Sequence, residues 1–211
     1  MKNIIPISLI LAIAFSACKQ NQPTRIACVG DSITEGSGLK PRSTKSYPYV
    51  LDSLLGDQYA VMNMGRSATT LLKDGNFPYW TAKEFSNVFV FKPEVIVIKL
   101  GSNDTKPKNW NVRKYKEDYQ ALIDTFRTIS PNIQIYLCKP VPVFKTRWGI
   151  NDSTIVNGVI PTVEEIAKAN DLPLIDLYNP MLDKGDFFPD QIHPNSEGAA
   201  EMARLIHEEL K

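Results

Sequence analysis

The sequence predicts one α/β domain, a three-layer α/β/α sandwich with a five-stranded parallel sheet. Short apolar runs of strand length alternate with longer segments whose apolar residues recur at helical spacing. One run, Val95 to Leu100, is almost continuously apolar, which is typical of a strand that helices cover on both faces. The 211 residues are 43% hydrophobic and 22% charged, which excludes a disordered chain or a coiled coil and fits a domain with its own core.

Each predicted strand is an apolar run that stops near a glycine, a proline or an asparagine. The strands are predicted at residues 24–30, 59–64, 94–101, 133–139 and 173–177. Helical segments separate them, so each connection returns the chain to the same edge of the sheet, and the strands are expected to be parallel.

The predicted helices lie between and after these strands, at residues 47–55, 80–91, 112–129, 156–169 and 195–210. The clearest pattern is in 112–129, where Tyr115, Tyr119, Leu122 and Phe126 follow one another at steps of three and four. The sequence Ser130-Pro131 then stops that helix.

Residues 1–17 are interpreted as a lipoprotein signal peptide, which leaves the domain at 24–211. A basic start precedes an apolar run of about 14 residues, too short as a helix for a hydrocarbon core of roughly 30 Å. Residues 15–18 resemble a bacterial lipobox, in which Cys18 is lipidated, and 18–23 then form the anchor and a polar tether. We therefore expect an exported bacterial lipoprotein, periplasmic or anchored to the outer membrane, that contacts membrane only through this lipid.

The other two cysteines, Cys28 and Cys138, lie in predicted strands and are expected to pack as small hydrophobic side chains. A disulfide between them is the less favoured alternative. The 24 basic and 23 acidic residues give no charge excess that would favour nucleic acid. Two separated histidines and no Cys-x-x-Cys pair offer no metal site, and no glycine-rich phosphate loop is found, so no cofactor is predicted. The oligomeric state stays open.

The residues that follow the strands carry the functional argument, because sites in such sheets form beyond the carboxyl ends of the strands. Ser32 follows the first strand, Gly65 the second and Asn103 the third. Each alone is also typical of an ordinary turn. His193 stands three residues after Asp190, and a carboxylate that orients a histidine is half of a serine triad. The alternative is that this segment only begins the last helix.

Together, four segments resemble, in order, the signature blocks of the SGNH (GDSL-type) hydrolases. They are Gly30-Asp31-Ser32, Gly65, Gly101-Ser102-Asn103-Asp104 and Asp190-Gln191-Ile192-His193. The resemblance implies the flavodoxin-like fold of that family. It also implies that Ser32 is the nucleophile, His193 the base and Asp190 the acid that orients it. The oxyanion hole would consist of the backbone N–H groups of Ser32 and Gly65 and the side-chain amide of Asn103.

The segments 75–80 and 105–110 resemble the corresponding loops of carbohydrate O-acetylesterases of this family, sialate O-acetylesterase-like members included. The candidate substrate contacts are Trp80, Trp110, Arg147 and Trp148, although the aromatic rings could equally buttress loops. Arg66, Lys106 or Arg147 could pair with the carboxylate of an acidic sugar. The implied function is a serine esterase that removes O-acetyl groups from a small-molecule or glycan ester. The alternatives are a lysophospholipase or thioesterase, or a glycan-binding lipoprotein without activity, which would have no need of a triad.

Overall fold

A computed structural model describes residues 22–211, and the predicted signal peptide and Cys18 lie outside these residues. The sheet is five-stranded and parallel throughout, with the strand order β2-β1-β3-β4-β5. The strands are β1 Thr24–Gly30, β2 Tyr59–Gly65, β3 Val95–Lys99, β4 Gln134–Lys139 and β5 Leu174–Asp176. The predicted fold class is therefore confirmed.

Helices cover both faces of the sheet. They are α1 Ser32–Glu35, α2 Arg42–Lys45, α3 Tyr47–Leu55, α4 Lys83–Phe91, α5 Val112–Arg127, α6 Asp152–Thr154, α7 Ile160–Asn170 and α8 Ser196–Leu210. Side chains alternate along β1, so that Ile26 and Cys28 pack towards α3 and α8, whereas Ala27 and Val29 pack towards α4, α5 and α7. Each face buries its own apolar layer, which gives the three-layer sandwich.

The register brings three strand ends to one place. Gly30, the last residue of β1, pairs with Gly65 of β2 on one side and with Lys99 of β3 on the other. The segments that follow these strands therefore leave the sheet side by side. They are the segments that carry Ser32, the turn after Gly65, and Asn103.

Two predicted helices begin later than the sequence pattern indicates. Residues 79–81 form a separate 3₁₀ turn, and α4 begins only at Lys83. The segment Ile155–Val159 is a wider π turn, and α7 follows it from Ile160. Pro161 accounts for the second difference, because proline has no N–H to donate to the preceding turn of an α-helix.

Both cysteines in the described residues are free and buried. Burial raises the pKa of the Cys138 thiol to about 12 and that of Cys28 still further, so both are unreactive at neutral pH. This outcome agrees with their predicted role as core residues. Within residues 22–211, no helix combines the length and the apolar character needed to cross a membrane.

Candidate active site

Ser32, His193 and Asp190 form one hydrogen-bonded row at the carboxyl edge of the sheet. Ser32 is the first residue of α1, one residue beyond the turn from β1 at Asp31, whereas Asp190 and His193 lie in the loop before α8. The Ser32 Oγ is 2.9 Å from His193 Nε2, and His193 Nδ1 is 2.7 Å from Asp190 Oδ2. The fold thus brings together the three side chains predicted as a triad, across 161 positions of sequence between Ser32 and His193.

Asp190 is held as an ionised carboxylate. Its Oδ1 accepts hydrogen bonds from the backbone N–H groups of Ile192, at 3.0 Å, and His193, at 2.7 Å. Partial burial alone would raise its pKa, but these hydrogen bonds and the imidazole outweigh it and hold the pKa of the Asp190 carboxyl below its usual range. A carboxylate accepts the Nδ1–H of His193 and leaves Nε2 as the acceptor for the Ser32 hydroxyl.

Two of the three predicted oxyanion donors have an N–H that is available to a ligand. The N–H of Ser32 is the first of α1 and has no acceptor within its helix. The Asn103 side-chain amide uses one hydrogen to donate to the carbonyl of Thr69, at 3.1 Å. An amide carries two such hydrogens, so one stays available for a ligand.

Gly65 does not fit its predicted role. Its N–H donates to Asn63 Oδ1 at 2.9 Å and is not free for an oxyanion. The reason for a glycine here is packing, because a Cβ would lie 2.3 Å from the backbone nitrogen of Glu35 in α1. Gly65 therefore allows α1, and with it Ser32, to approach the end of β2.

Ala68 presents a free backbone N–H that its residue type does not indicate. Its φ is +68°, an uncommon conformation for a residue with a Cβ, and within the described residues its N–H has no acceptor. The turn that contains it is anchored at both sides, because the N–H of Ser67 donates to Glu35 at 2.8 Å and Thr69 accepts from Asn103. This turn places Ala68 between α1 and Asn103, and nothing in an alanine signals it in the sequence.

A fully buried ion pair joins Asp31, the residue before Ser32, to Lys99, the last residue of the strand that leads to Asn103. Lys99 Nζ, at the end of β3, lies 3.2 Å from both carboxylate oxygens of Asp31 and 2.9 Å from Ser102 Oγ. Asp31 also caps α1, since its Oδ1 accepts from the N–H of Ile33 at 3.0 Å. Lys99 therefore contacts the neighbours of both Ser32 and Asn103.

Asp104, the residue after Asn103, is hydrogen-bonded to the segment that follows β2. It is buried, and its carboxylate accepts from the N–H groups of Leu71 and Leu72, at 3.0 and 2.8 Å. Burial raises the pKa of Asp104 to about 7, even though these two hydrogen bonds favour the charged form. The arrangement links the segment after Asn103 to the segment after β2. Among residues 22–211, no three His, Cys, Asp or Glu side chains converge as metal ligands would.

The structure separates the predicted substrate contacts into two groups. Trp80 packs against Phe85, with ring centroids 5.5 Å apart, and its indole N–H donates to the Leu71 carbonyl. Trp110 packs against Tyr115, with ring centroids 5.3 Å apart, and against Gly158. Both rings are half-buried supports of the domain, so the prediction that they contact substrate is not supported.

Trp148 and Arg147, by contrast, lie beside the triad. The Trp148 ring is 57% exposed, with its centroid 5.8 Å from that of His193. It sits in a tight turn, with positive φ at both Trp148 and Gly149, closed by two hydrogen bonds between Arg147 and Ile150. Arg147 stacks on the indole, with 4.3 Å from Cζ to the ring centroid. The pair forms a platform at the mouth of the site.

A serine, a histidine and a carboxylate in one row at the end of a parallel sheet is the geometry of the serine hydrolases as a class. Residues 28–201 match the model of the GDSL-like lipase/acylhydrolase family. The chain belongs to that family.

Individual relatives agree with this assignment. The chain is 40% identical over 209 residues to an acetylxylan esterase of Xylanibacter ruminicola, over 89% of this chain. It spans 43% of that protein, which is less than half of its length. The solved lipase/acylhydrolase from Enterococcus faecalis has a TM-score of 0.70 and 26% identity, and covers 89% of this chain and 95% of its own. The acetyl xylan esterase AlAXEase shares the fold with a TM-score of 0.72 and 20% identity, over 89% of this chain and all of its own.

Proposed function

We propose that this protein is a carboxylic ester hydrolase that removes O-acetyl groups from carbohydrates through an acyl-serine intermediate. The observation that carries the proposal is the hydrogen-bonded row from Ser32 through His193 to Asp190, with a contact of 2.9 Å at the nucleophile. A serine hydroxyl is a poor nucleophile unless an adjacent base accepts its proton. His193 is the base that lies within reach.

In the first half of the reaction, Ser32 Oγ attacks the acetyl carbonyl carbon while its proton passes to His193 Nε2. The carbonyl oxygen becomes an oxyanion that accepts hydrogen bonds from the N–H groups of Ser32 and Ala68 and from the Asn103 amide. His193 then gives its proton to the sugar oxygen, the carbon–oxygen bond to the sugar breaks, and acetyl-Ser32 remains. Preorganised donors at an oxyanion are usually the largest catalytic contribution, with about 10²–10³ in rate for a single donor.

In the second half, His193 takes a proton from a water molecule, which attacks the acetyl carbonyl of acetyl-Ser32. The same donors receive the new oxyanion, and collapse releases acetate with the proton returned to Ser32. Throughout, the Asp190 carboxylate keeps the imidazole in one orientation and stabilises its charged form.

A carbohydrate substrate is supported by two observations. An exposed indole stands 5.8 Å from the His193 ring, where it can stack on a sugar. A relative that is 40% identical is an acetylxylan esterase, although this chain spans only part of it. The long-acyl alternative is less favoured, because the charged side chains Lys40 and Lys45 line the cavity beside His193 together with its apolar residues.

The test compares p-nitrophenyl acetate with p-nitrophenyl octanoate and with acetylated xylo-oligosaccharides, each with the wild type and with Ser32→Ala. Acetate should be released from the oligosaccharides and from p-nitrophenyl acetate in a Ser32-dependent manner, and octanoate should be a poor substrate. A preference for octanoate would favour the lipase alternative. Glycan binding without any Ser32-dependent hydrolysis would identify a binding protein.

Asp190→Asn tests the proposed role of the carboxylate. An asparagine keeps the shape of the aspartate but carries no charge, and it can present either its oxygen or its amide to Nδ1. The Nδ1–H of His193 then no longer donates to a carboxylate, so the imidazole is not fixed in the form that accepts the proton of Ser32. We expect kcat to fall by about 10²–10⁴-fold with little change in the melting temperature. A loss of stability that accounts for the whole loss of activity would instead make Asp190 a residue that only begins α8.

We also propose that Cys18 carries a lipid that anchors the domain to a bacterial membrane, in the periplasm or at the outer membrane. The support is the lipobox-like sequence Phe15-Ser16-Ala17-Cys18 after an apolar run, followed by a polar tether. In the expressing bacterium, the full chain should sediment with membranes and Cys18→Ala should be found in the soluble fraction. Cys28→Ala is a matched control and should still sediment. Sedimentation of Cys18→Ala would contradict the anchor.

A further inference from the structure

Cationic side chains without acidic partners surround the mouth of the site. Most of the lysine and arginine side chains that form no ion pair within residues 22–211 belong to loops or short helices at this edge of the sheet. They are Lys40, Lys45, Lys106, Lys108, Lys145 and Arg147. Within the same residues, Lys83, Lys92, Lys168 and Lys211 also form no ion pair, so this set holds six of the ten unpaired cations.

Two members of this set line a cavity of about 460 Å³ that opens beside the imidazole of His193. Its walls include Lys40, Lys45 and Ser37 on one side and Asp190 and His193 on the other. This size lies within the range of about 300–1,000 Å³ for small-ligand sites, which is enough for a sugar residue. The two ammonium groups therefore share one cavity with the proposed catalytic base.

The charges on the other side of the triad are also positive. A second cavity of about 350 Å³ is lined by Lys145, Arg147 and the other flank of Asp190. Arg147 lies across the exposed face of Trp148, and Lys106 packs against Gly149 in the same turn. Burial and the charge of Lys108 lower the pKa of Lys106, as expected where positive charges crowd together. Asp190 lines both cavities and contributes one negative charge, against the four cationic side chains Lys40, Lys45, Lys145 and Arg147.

We infer that the cavity between Lys40, Lys45 and His193 binds a sugar carboxylate, and that the preferred substrate is an acetylated glycan that carries uronic acid groups. This inference rests on the proposed function, because it specifies the sugar on which the same site acts. A neutral acetylated glycan would leave the lysines without a partner, whereas a carboxylate beside the acetylated sugar pairs with them and orients the ester towards Ser32. Charge around the mouth also draws an anionic substrate towards the site.

The experiment measures kcat/KM for acetate release from two acetylated xylo-oligosaccharides of equal length, one neutral and one with a glucuronate side group. Wild type should prefer the acidic substrate by about fivefold or more, and the preference should shrink as salt is raised. In Lys40→Gln/Lys45→Gln the preference should disappear, with p-nitrophenyl acetate hydrolysis unchanged.

The control, Lys92→Gln/Lys168→Gln, removes the same charge from exposed, unpaired lysines that follow α4 or lie in α7, towards the opposite edge of the sheet. It should retain the preference. Equal kcat/KM for the two substrates in wild type, or equal loss in the two double variants, would overturn the inference. Hydrolysis of p-nitrophenyl acetate without acetate release from either oligosaccharide would instead overturn the proposed function.

Discussion

Ser32→Ala should reduce the hydrolysis of p-nitrophenyl acetate and of acetylated oligosaccharides by about 10⁴-fold or more, with no measurable loss of stability. The substitution removes the atom that forms the acyl-serine, and the remaining donors and binding contacts supply only a small part of the rate. Oγ contacts the imidazole and caps no helix, since the cap of α1 is the side chain of Asp31. The fold has no reason to change.

Ser53→Ala is the matched control, because it removes the same atom from an exposed serine in α3. Initial rates should be unchanged in the control. A fluorophosphonate reagent should add its mass to wild type and to Ser53→Ala but not to Ser32→Ala. Turnover or labelling of Ser32→Ala at the level of the control would show that another residue is the nucleophile.

Lys99→Met should cost about 3–5 kcal/mol in the free energy of unfolding, because it leaves the Asp31 carboxylate buried and unpaired. A cost of this size is a large share of the total stability of a domain, which is about 5–15 kcal/mol. Urea unfolding measures the loss. Lys139→Met, at the end of β4, is the control: its pairs with Glu164 and Asp176 involve partly exposed carboxylates, and about 1 kcal/mol or less is expected.

A second variant separates stability from the positioning of the nucleophile. In Lys99→Met/Asp31→Asn no charge is left unpaired, and the asparagine oxygen can still cap α1, so most of the stability should return. The anchor that Lys99 provides for Asp31 and Ser102 is still missing, and kcat should stay about tenfold or more below wild type with little change in KM. Full recovery of kcat would show that Lys99 serves stability alone.

Much of the fold could be predicted from the sequence, because its signals are local. The five parallel strands follow from short apolar runs separated by helical segments, and 47–55 coincides with α3 without a shift at either end. The helix boundaries that differ from the predicted ones have local causes that apolar periodicity does not indicate, such as Pro161 after the π turn. The triad could be predicted because its residues stand in recognisable blocks after strands that end at the same edge.

Contacts between distant segments required the tertiary structure. A lysine at the end of an apolar strand does not indicate a carboxylate 68 positions earlier. Yet Lys99 and Asp31 form the buried link between the segments that carry Ser32 and Asn103. The N–H of Gly65 is already bonded and, within residues 22–211, that of Ala68 is free, because the hydrogen bond of Asn63 and the φ of Ala68 depend on how α1 packs on β2. The same holds for the tryptophans, of which Trp80 and Trp110 support the domain and Trp148 faces the site.

The sequence by itself determined the class of fold, the order of the strands along the chain and the three side chains that the fold brings into one hydrogen-bonded row. The tertiary structure alone decided which backbone donors are free, which tryptophan is exposed, and that Lys40 and Lys45 share a cavity with His193. The physical reason is the distance along the chain over which each interaction acts. Periodicity and turn chemistry act over a few residues, whereas hydrogen-bond partners, burial and uncompensated charge depend on segments that meet only when the sheet has formed.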